Sequence, residues 1–174
     1  MKEALLSIIK DENRIITGQI DPQYLSDNLG RKKGTAEAVV FPVSTEEISG
    51  VMRYAWKNNL PVTPRGAGTN LVGSTVPSGH GIVLDVSLMN HVLELDEETF
   101  TATVEPGVVL EDFQAYVESK GLFYPPDPGE KKATIGGNIR PNAGGMRAVQ
   151  YGVTRASVMG LELVLADGTV VVSS

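Results

Sequence analysis

The sequence contains no cysteine. That excludes disulfides, thiolate metal sites, iron–sulfur ligation and a cysteine nucleophile. Histidine is scarce. His80 and His91 are the only two, and neither has a helical partner or a carboxylate at ligand spacing. Both read as non-catalytic, and no metal site is expected. No apolar run approaches the roughly 20 residues of a membrane-spanning helix. The opening segment, Met1 to Lys10, is too short and too charged for a secretion signal. It reads as a short amphipathic helix of a cytoplasmic protein with no membrane span. Positive charge is in deficit, 15 Lys and Arg against 21 Asp and Glu, a net charge of −6. A free-standing nucleic-acid binder is usually basic, so nucleic acid is not an expected partner. What is present suits a globular protein: 174 residues, 41% of them hydrophobic and 21% charged, which supply a core and argue against wholesale disorder. One domain, or two small subdomains sharing a ligand, fits that length.

Glycine is the compositional outlier, with 19 residues against a usual ~7%. Most of them gather in two windows. Gly66, Gly68, Gly73, Gly79 and Gly81 form the first; Gly129, Gly136, Gly137, Gly144, Gly145 and Gly152 form the second. Charge divides along the same lines. From Pro61 to Gly81 there is Arg65 and no acid. From Gly129 to Arg155 there are Lys131, Lys132, Arg140, Arg147 and Arg155 against Glu130 alone. The intervening Ile82 to Pro128 is strongly acidic, with Lys120 its one basic residue. Glycine-rich backbone free of acids suits an anionic ligand, because amide groups can approach its oxygens and no carboxylate repels it. The plain alternative is tight turns and a solvated basic surface.

Ser44-Thr45-Glu46-Glu47 is a capping box. Ile48, Val51, Met52 and Ala55 follow at helical spacing, so a helix is predicted to about Asn58. Ala38 to Phe41 before it and Pro61 to Thr63 after it read as strands of a βαβ unit with a parallel pair, and Gly81 to Asp85 as a third strand. The first glycine loop then leaves the carboxyl end of a strand, the usual ligand edge of an α/β sheet. Beyond residue 88 the pattern changes. His91 to Leu95 and Phe100 to Val104 flank an acidic turn as a hairpin. Leu110, Phe113 and Val117 mark a helix with a basic last turn that stops at Lys120-Gly121. Leu161 to Leu165 and Thr169 to Val172 flank Asp167-Gly168 as a second hairpin. Trp56 reads as packing.

Several nucleotide motifs fail on detail. Gly68 to Ser74 has Walker A glycine spacing but no lysine, and Gly66-Ala67-Gly68 has its next glycine five residues on rather than three. No Gly-x-Ser-x-Gly elbow is present.

The motifs that remain follow one another in order: Pro64-Arg65-Gly66-Ala67-Gly68-Thr69, Val104-Glu105-Pro106-Gly107-Val108, Pro125-Pro126-Asp127-Pro128, Thr134-Ile135-Gly136-Gly137-Asn138, Asn142-Ala143-Gly144-Gly145, Tyr151-Gly152 and Gly160 to Leu165. Over about residues 20–174 they resemble the FAD-binding domain of the PCMH or vanillyl-alcohol-oxidase type, in the family of the glycolate oxidase flavin subunit and D-lactate dehydrogenase. The resemblance implies an α+β fold of two α/β-type subdomains with FAD between them. A small parallel sheet with helices would span 1–88, and an antiparallel sheet with helices 89–174, incomplete at its C-terminus.

It also implies the site. Pro64, Arg65, Gly66, Ala67, Gly68, Thr69, Asn70, Gly73 and Ser74 would wrap the FAD diphosphate, largely through backbone amides. Thr134, Ile135, Gly136, Gly137, Asn138, Asn142, Gly144 and Gly145 would form the opposite wall, with Thr134 and Asn138 donating from their side chains. Pro106, Gly107, Tyr151 and Gly152 belong to the same set. Pro126 and Asp127 would border the flavin ring, with Asp127 open to a second reading as a turn residue. Some family members attach FAD through a histidine at the position of Thr69. Threonine cannot form that bond, so FAD is expected to be non-covalent.

Family members are much longer, and the resemblance implies a fragment of a longer parent. That parent would oxidise a small D-2-hydroxy acid to the 2-oxo acid. A hydride would pass to the flavin while a base removes the hydroxyl proton, and an electron-acceptor subunit is a possible partner. No residue of this chain is expected to be catalytic. The alternative is a flavin- or nucleotide-binding module without chemistry, serving as a carrier or assembly subunit. A reductase of the same fold acting on a nucleotide sugar is disfavoured by the Pro125 to Asn138 motifs.

Overall fold

A computed structural model describes residues 1–173; Ser174, with which the second expected subdomain ends, lies outside the described residues. The chain divides into two compact units. One comprises Met1–Leu88 together with the chain from Gly160 onward, the other Met89–Met159.

The first unit is built on a four-stranded sheet. Helix α1 (Lys2–Ile9) leads into β1 (Ile15–Thr17), β2 (Ala38–Val40), α2 (Thr45–Lys57), β3 (Val62–Arg65) and β4 (Ile82–Asp85). The strand order is β1-β2-β4-β3. β1 runs antiparallel to β2, and the other pairs are parallel. The expected βαβ unit is present, but its two strands are not neighbours, because β4 lies between them. The sequences explain the placement. β2 and β4 are buried along their whole length and read as continuous apolar runs, as strands covered on both faces do. β3 carries Pro64, which has no N–H to give a second neighbour and suits an edge. Leu5, Ile9, Val51 and Ala55 of the helices pack on one face with Val40, Ile82 and Leu84, and Ile20 packs on Val39 and Val83.

The start of α2 is fixed more firmly than a capping box alone would fix it. The Ser44 hydroxyl accepts the Glu47 N–H at 3.3 Å. The Glu47 carboxylate accepts the N–H of Val43 at 2.9 Å and both terminal nitrogens of Arg14 at 2.6 and 2.8 Å. Arg14 also donates to the carbonyls of Ile9 and Phe41. One guanidinium therefore ties the end of α1, the strand exit and α2 together. Burial pushes the Glu47 acid up, but the hydrogen bonds from Arg14 and Val43 outweigh it and hold the acid below its usual range. Trp56 is 62% exposed, so it is not the packing residue its position suggests.

In the second unit, β5 (Val92–Asp96) and β6 (Thr101–Val104) form the expected antiparallel hairpin, with Phe100 in a left-handed conformation at φ 57°. Helix α3 (Leu110–Glu118) buries Leu110, Phe113, Gln114 and Val117. It ends at Glu118, two residues before Lys120, so Lys120 lies beyond its last turn and Gly121 (φ 74°) follows. Two short helices, α4 (Ile135–Ile139) and α5 (Ala148–Tyr151), complete the unit. Val108, Leu110, Phe113, Val117 and Ile135 are its core.

The final hairpin, β7 (Leu161–Val164) and β8 (Val170–Ser173), corrects the expected division at 89–174. It packs on α2 of the first unit, where the Ser49 hydroxyl donates to the Gly168 carbonyl at 2.5 Å and Thr45 to Glu162 at 2.5 Å. Two isolated strands are marginal in water and need a surface to lie on; α2 supplies it. The antiparallel part of the chain is thus two separate hairpins rather than one sheet. Among the described residues no helix is long and apolar enough to cross a membrane.

Candidate functional site: two glycine-rich loops

The first loop begins where β3 ends at Arg65, on the carboxyl edge of the parallel strands. Gly68 takes φ 72°, which L-residues rarely adopt, and a Cβ there would overlap the Arg65 guanidinium. Asn70 closes the far side. Its side-chain oxygen accepts the N–H groups of Val72 (3.3 Å) and Ser74 (3.0 Å), its Nδ2 donates to Thr75 Oγ1 at 2.5 Å, and its carbonyl accepts the N–H of Asn28 at 3.1 Å. Asn70 therefore shapes the loop rather than offering its side chain outward. Between these fixed points, the backbone N–H groups of Gly66, Ala67, Gly68, Thr69, Asn70 and Leu71 donate to no acceptor among the described residues. A run of adjacent free amides with no acid from Pro61 to Gly81 is the donor set of an anion site.

Arg65 itself is 9% exposed. Its Nε lies 3.8 Å from Asp85 Oδ2, its Nη1 donates to the Ser26 carbonyl at 3.4 Å, and its guanidinium stands 5.6 Å from the centroid of the Tyr24 ring. Burial pushes the Asp85 acid up and pulls the Arg65 pKa down, each partly offset by the other's charge. A cleft of about 300 Å³ beside them is lined by Gln23, Ser26, Asp27, Asn28, Arg65, Ala67 and Gly68. Sequence reasoning missed Asp85, Tyr24 and Ser26. The available signal was a charged residue closing each of two apolar strands that turn out to be register partners.

In the second unit the predicted residues gather in two contacts. Pro106 and Gly107 meet the 134–138 segment: the Pro106 carbonyl accepts the Gly136 N–H at 2.9 Å, and a Cβ on Gly136 would stand 2.8 Å from the Pro106 Cβ. Pro126 and Asp127 meet the 142–145 segment, where a Cβ on Gly145 (φ 132°) would overlap the Asp127 carbonyl. Thr134 caps α4 by accepting the Gly137 N–H at 3.1 Å. Ile135 is a core residue, so it can serve a ligand only through its backbone. Asn142, left-handed at φ 52°, accepts the Arg155 N–H at 2.9 Å. Tyr151 lies edge-on to Phe123 and is partly exposed, and Gly152 (φ 84°) ends α5.

Asn138 is different from its neighbours. It is 4% exposed, and its Nδ2 is a buried donor with no partner among the described residues. Buried polar atoms are nearly always paired, so an orphan points to a missing acceptor. The amides of Gly144, Gly145, Met146 and Arg147 also donate to nothing among the described residues. Asp127 is more than a turn residue. Its buried carboxylate takes Lys131 at 2.9 Å and the Gly129 N–H at 3.3 Å, with Arg147 at 3.7 Å. The Lys131 hydrogen bond, with these further contacts, holds its acid below the usual carboxylate range.

Comparison with known proteins identifies the family. A family model described as "FAD binding domain" matches residues 36–174. Glycolate oxidase subunit GlcD of Bacillus subtilis (strain 168) is 46% identical over 172 residues, 98% of this chain and 37% of the relative. D-lactate dehydrogenase of Anaerostipes hadrus is 43% identical over 160 residues, 91% of this chain and 34% of the relative. The chain thus spans about a third of the length of these curated relatives. Among solved structures, 6-hydroxy-D-nicotine oxidase from Arthrobacter nicotinovorans superposes with a TM-score of 0.79 at 26% identity, covering 92% of this chain and 35% of that one. A berberine bridge enzyme variant gives 0.80 at 23% identity, over 99% and 37%, and so shares the fold.

Proposed function

The chain belongs to the FAD binding domain family, and on that footing we propose that it is the FAD-binding part of an oxidoreductase converting a small D-2-hydroxy acid, of the glycolate or D-lactate class, into the 2-oxo acid. It is an FAD-binding domain related to glycolate oxidase and to D-lactate and D-2-hydroxyglutarate dehydrogenases, and its cofactor is FAD. The observation that carries the reading is the run of free backbone N–H groups from Gly66 to Leu71, on an acid-free loop at the carboxyl edge of a parallel sheet.

The residues present fit such a cofactor. The free amides of the first loop would donate to diphosphate oxygens, and the orphan Nδ2 of Asn138 supplies a further donor in the second loop. FAD, when bound, would supply the hydride acceptor needed to oxidise the carbinol carbon of a hydroxy acid. Thr69 stands where a histidine would be needed for covalent attachment, so the cofactor is held by non-covalent contacts alone. Asp127 is ionised and committed to Lys131 and Arg147, so it orders the backbone around Gly145 rather than taking a proton from substrate. No residue of this chain is assigned the base. The hydroxy acid and any electron-acceptor subunit would be met by the full-length protein.

The test is a titration of the purified chain with FAD, followed by flavin fluorescence, and then acid precipitation. Binding with all flavin recovered in the supernatant is the expected result. Absence of binding would overturn the reading, and flavin retained by the denatured protein would overturn the non-covalent assignment. Anaerobic addition of glycolate or D-lactate to the loaded chain is expected to leave the flavin band unbleached.

A further inference from the structure

We propose that Arg65 is a positioning residue rather than a ligand of the diphosphate: paired with Asp85, it is a buried post that holds the amides of Gly66 to Leu71 in their anion-binding arrangement. The inference deepens the FAD reading above and rests on it.

Four observations carry it. Arg65 is the only cation from Pro61 to Gly81, so a direct phosphate contact is the obvious reading of the sequence. The guanidinium is instead buried and engaged on several sides, by the Asp85 carboxylate, the Tyr24 ring and the Ser26 carbonyl. The Asp85 charge cancels the arginine's, and Asp27 lines the adjoining cleft, so the neighbourhood offers an anion little net attraction. Finally, the guanidinium occupies the space where a Cβ of Gly68 would be. Gly68 rests directly on Arg65, and the loop cannot settle lower.

The parts form one frame. Arg65 and Asp85 end adjacent parallel strands as register partners. Tyr24 and Ser26 belong to a segment that also holds the loop from its other end, through the Asn28 N–H to the Asn70 carbonyl. The loop is therefore supported under Gly68 and clamped at Asn70, and the free amides lie between. A planar fork with fixed donors suits such a post, and the flexible point charge of lysine does not.

The two roles predict opposite signs for Asp85→Asn. If Arg65 touched the diphosphate, removing the competing carboxylate would release the cation and tighten FAD binding. If the pair is a post, the same change leaves a buried cation unpaired, loosens the loop and weakens binding. We expect Asp85→Asn and Arg65→Lys each to raise the Kd for FAD at least about ten-fold, the factor that 1.4 kcal/mol of lost preorganisation produces. The salt dependence of Kd should match that of the wild type in both, because no ionic contact to the ligand is lost.

The assay is flavin fluorescence quenching at several salt concentrations, with near-UV circular dichroism as a check of folding. Tighter binding by Asp85→Asn, or full affinity in Arg65→Lys, would overturn the proposal. Should Asp85→Asn not fold, Gly68→Ala decides. A post predicts that Arg65→Lys costs less in the Gly68→Ala background than in the wild type, because the shorter side chain relieves the clash. Additive losses would overturn it. Proteinase K digestion of flavin-free protein gives a readout without the cofactor. Faster cleavage within residues 66–75 of Arg65→Lys is expected, and unchanged cleavage would overturn the post. Failure of the wild type to bind FAD would instead overturn the function, leaving the digestion to decide the role of the pair.

Discussion

Replacing Asn138 by leucine should move stability and cofactor affinity in opposite directions. The Asn138 Nδ2 is buried without an acceptor among the described residues. An unsatisfied buried donor costs about 1–3 kcal/mol. Leucine has the same branched outline of four side-chain heavy atoms, has no donor, and is the better helix former at a position inside α4. Removing the orphan should stabilise the flavin-free protein by up to that amount. For a chain of this size about 1 kcal/mol corresponds to roughly 2–4 °C in Tm, so a rise of about 2–10 °C is expected in a thermal melt. The same donor, facing a charged ligand oxygen, would be worth about 1.5–3 kcal/mol, or roughly 10- to 150-fold in Kd. Asn138→Asp is the control. It also removes the donor but buries a charge facing an anion, so stability and affinity should fall together. If Asn138→Leu lowers the Tm, or changes the Kd for FAD by less than about two-fold, Asn138 is not waiting for an acceptor and the second loop loses its strongest link to the cofactor.

Other consequences can be checked by melts and titrations. Gly145→Ala and Gly129→Ala both place a side chain at positive φ, yet only Gly145 would drive its Cβ into the backbone of Asp127 and Pro128, while Gly129 meets nothing within 4 Å. Gly129→Ala should cost about 1 kcal/mol and Gly145→Ala at least about 2–3 kcal/mol; equal losses would show that the 126–129 and 142–145 segments are not packed. Arg14→Ala leaves the half-buried Glu47 and two carbonyls without their donor, and should cost about 3 kcal/mol by urea denaturation. The Asp127 acid sits below its unfolded value because of Lys131, so its contribution is complete above about pH 4 and disappears as the pH falls through the folded value. Asp127→Asn should therefore flatten the loss of stability below about pH 4 while lowering stability at neutrality, which unfolding followed across pH would show.

The elements were legible in the sequence wherever one physical signal dominated. The capping residue and helical spacing of 44–55 placed α2 within a residue, and Asp167-Gly168 marked its hairpin. Topology was less legible, because it depends on which strands can be covered on both sides. That β4 would displace β3 from β2 follows from Pro64 at an edge, which is clear only once the sheet is assembled. The final hairpin went to the wrong unit because it docks through the Gly168 carbonyl and Glu162 onto the side chains of Ser49 and Thr45, polar contacts that leave no mark in the apolar pattern. In the candidate site, the glycine and charge windows located both loops. What they could not show is direction. The side chain of Arg65 is engaged within the fold, Ile135 faces the core, and Asn70 folds back on its own loop.

The free donors of the two loops are maintained on different terms, and this decides how each can fail. The amides from Gly66 to Leu71 lie on a partly exposed loop where water can meet most of them, so they cost the flavin-free chain little. Their value to a ligand lies in arrangement, which comes from the φ of Gly68, the turn at Asn70 and the side chains beneath. Substitutions at its outer positions, Ala67, Thr69 and Leu71, should act through loop order and barely shift the Tm. Asn138 is sealed among packed residues, so its arrangement is secure and its unmet bond is the cost. Substitution there should change a single contact and shift the Tm upward. Ligand binding offsets that cost only in the second case. The stabilisation produced by saturating FAD, which grows with the logarithm of concentration over Kd, should therefore fall in both kinds of variant through a higher Kd, caused by lost loop order in the first loop and by a lost contact and a more stable flavin-free state in Asn138→Leu.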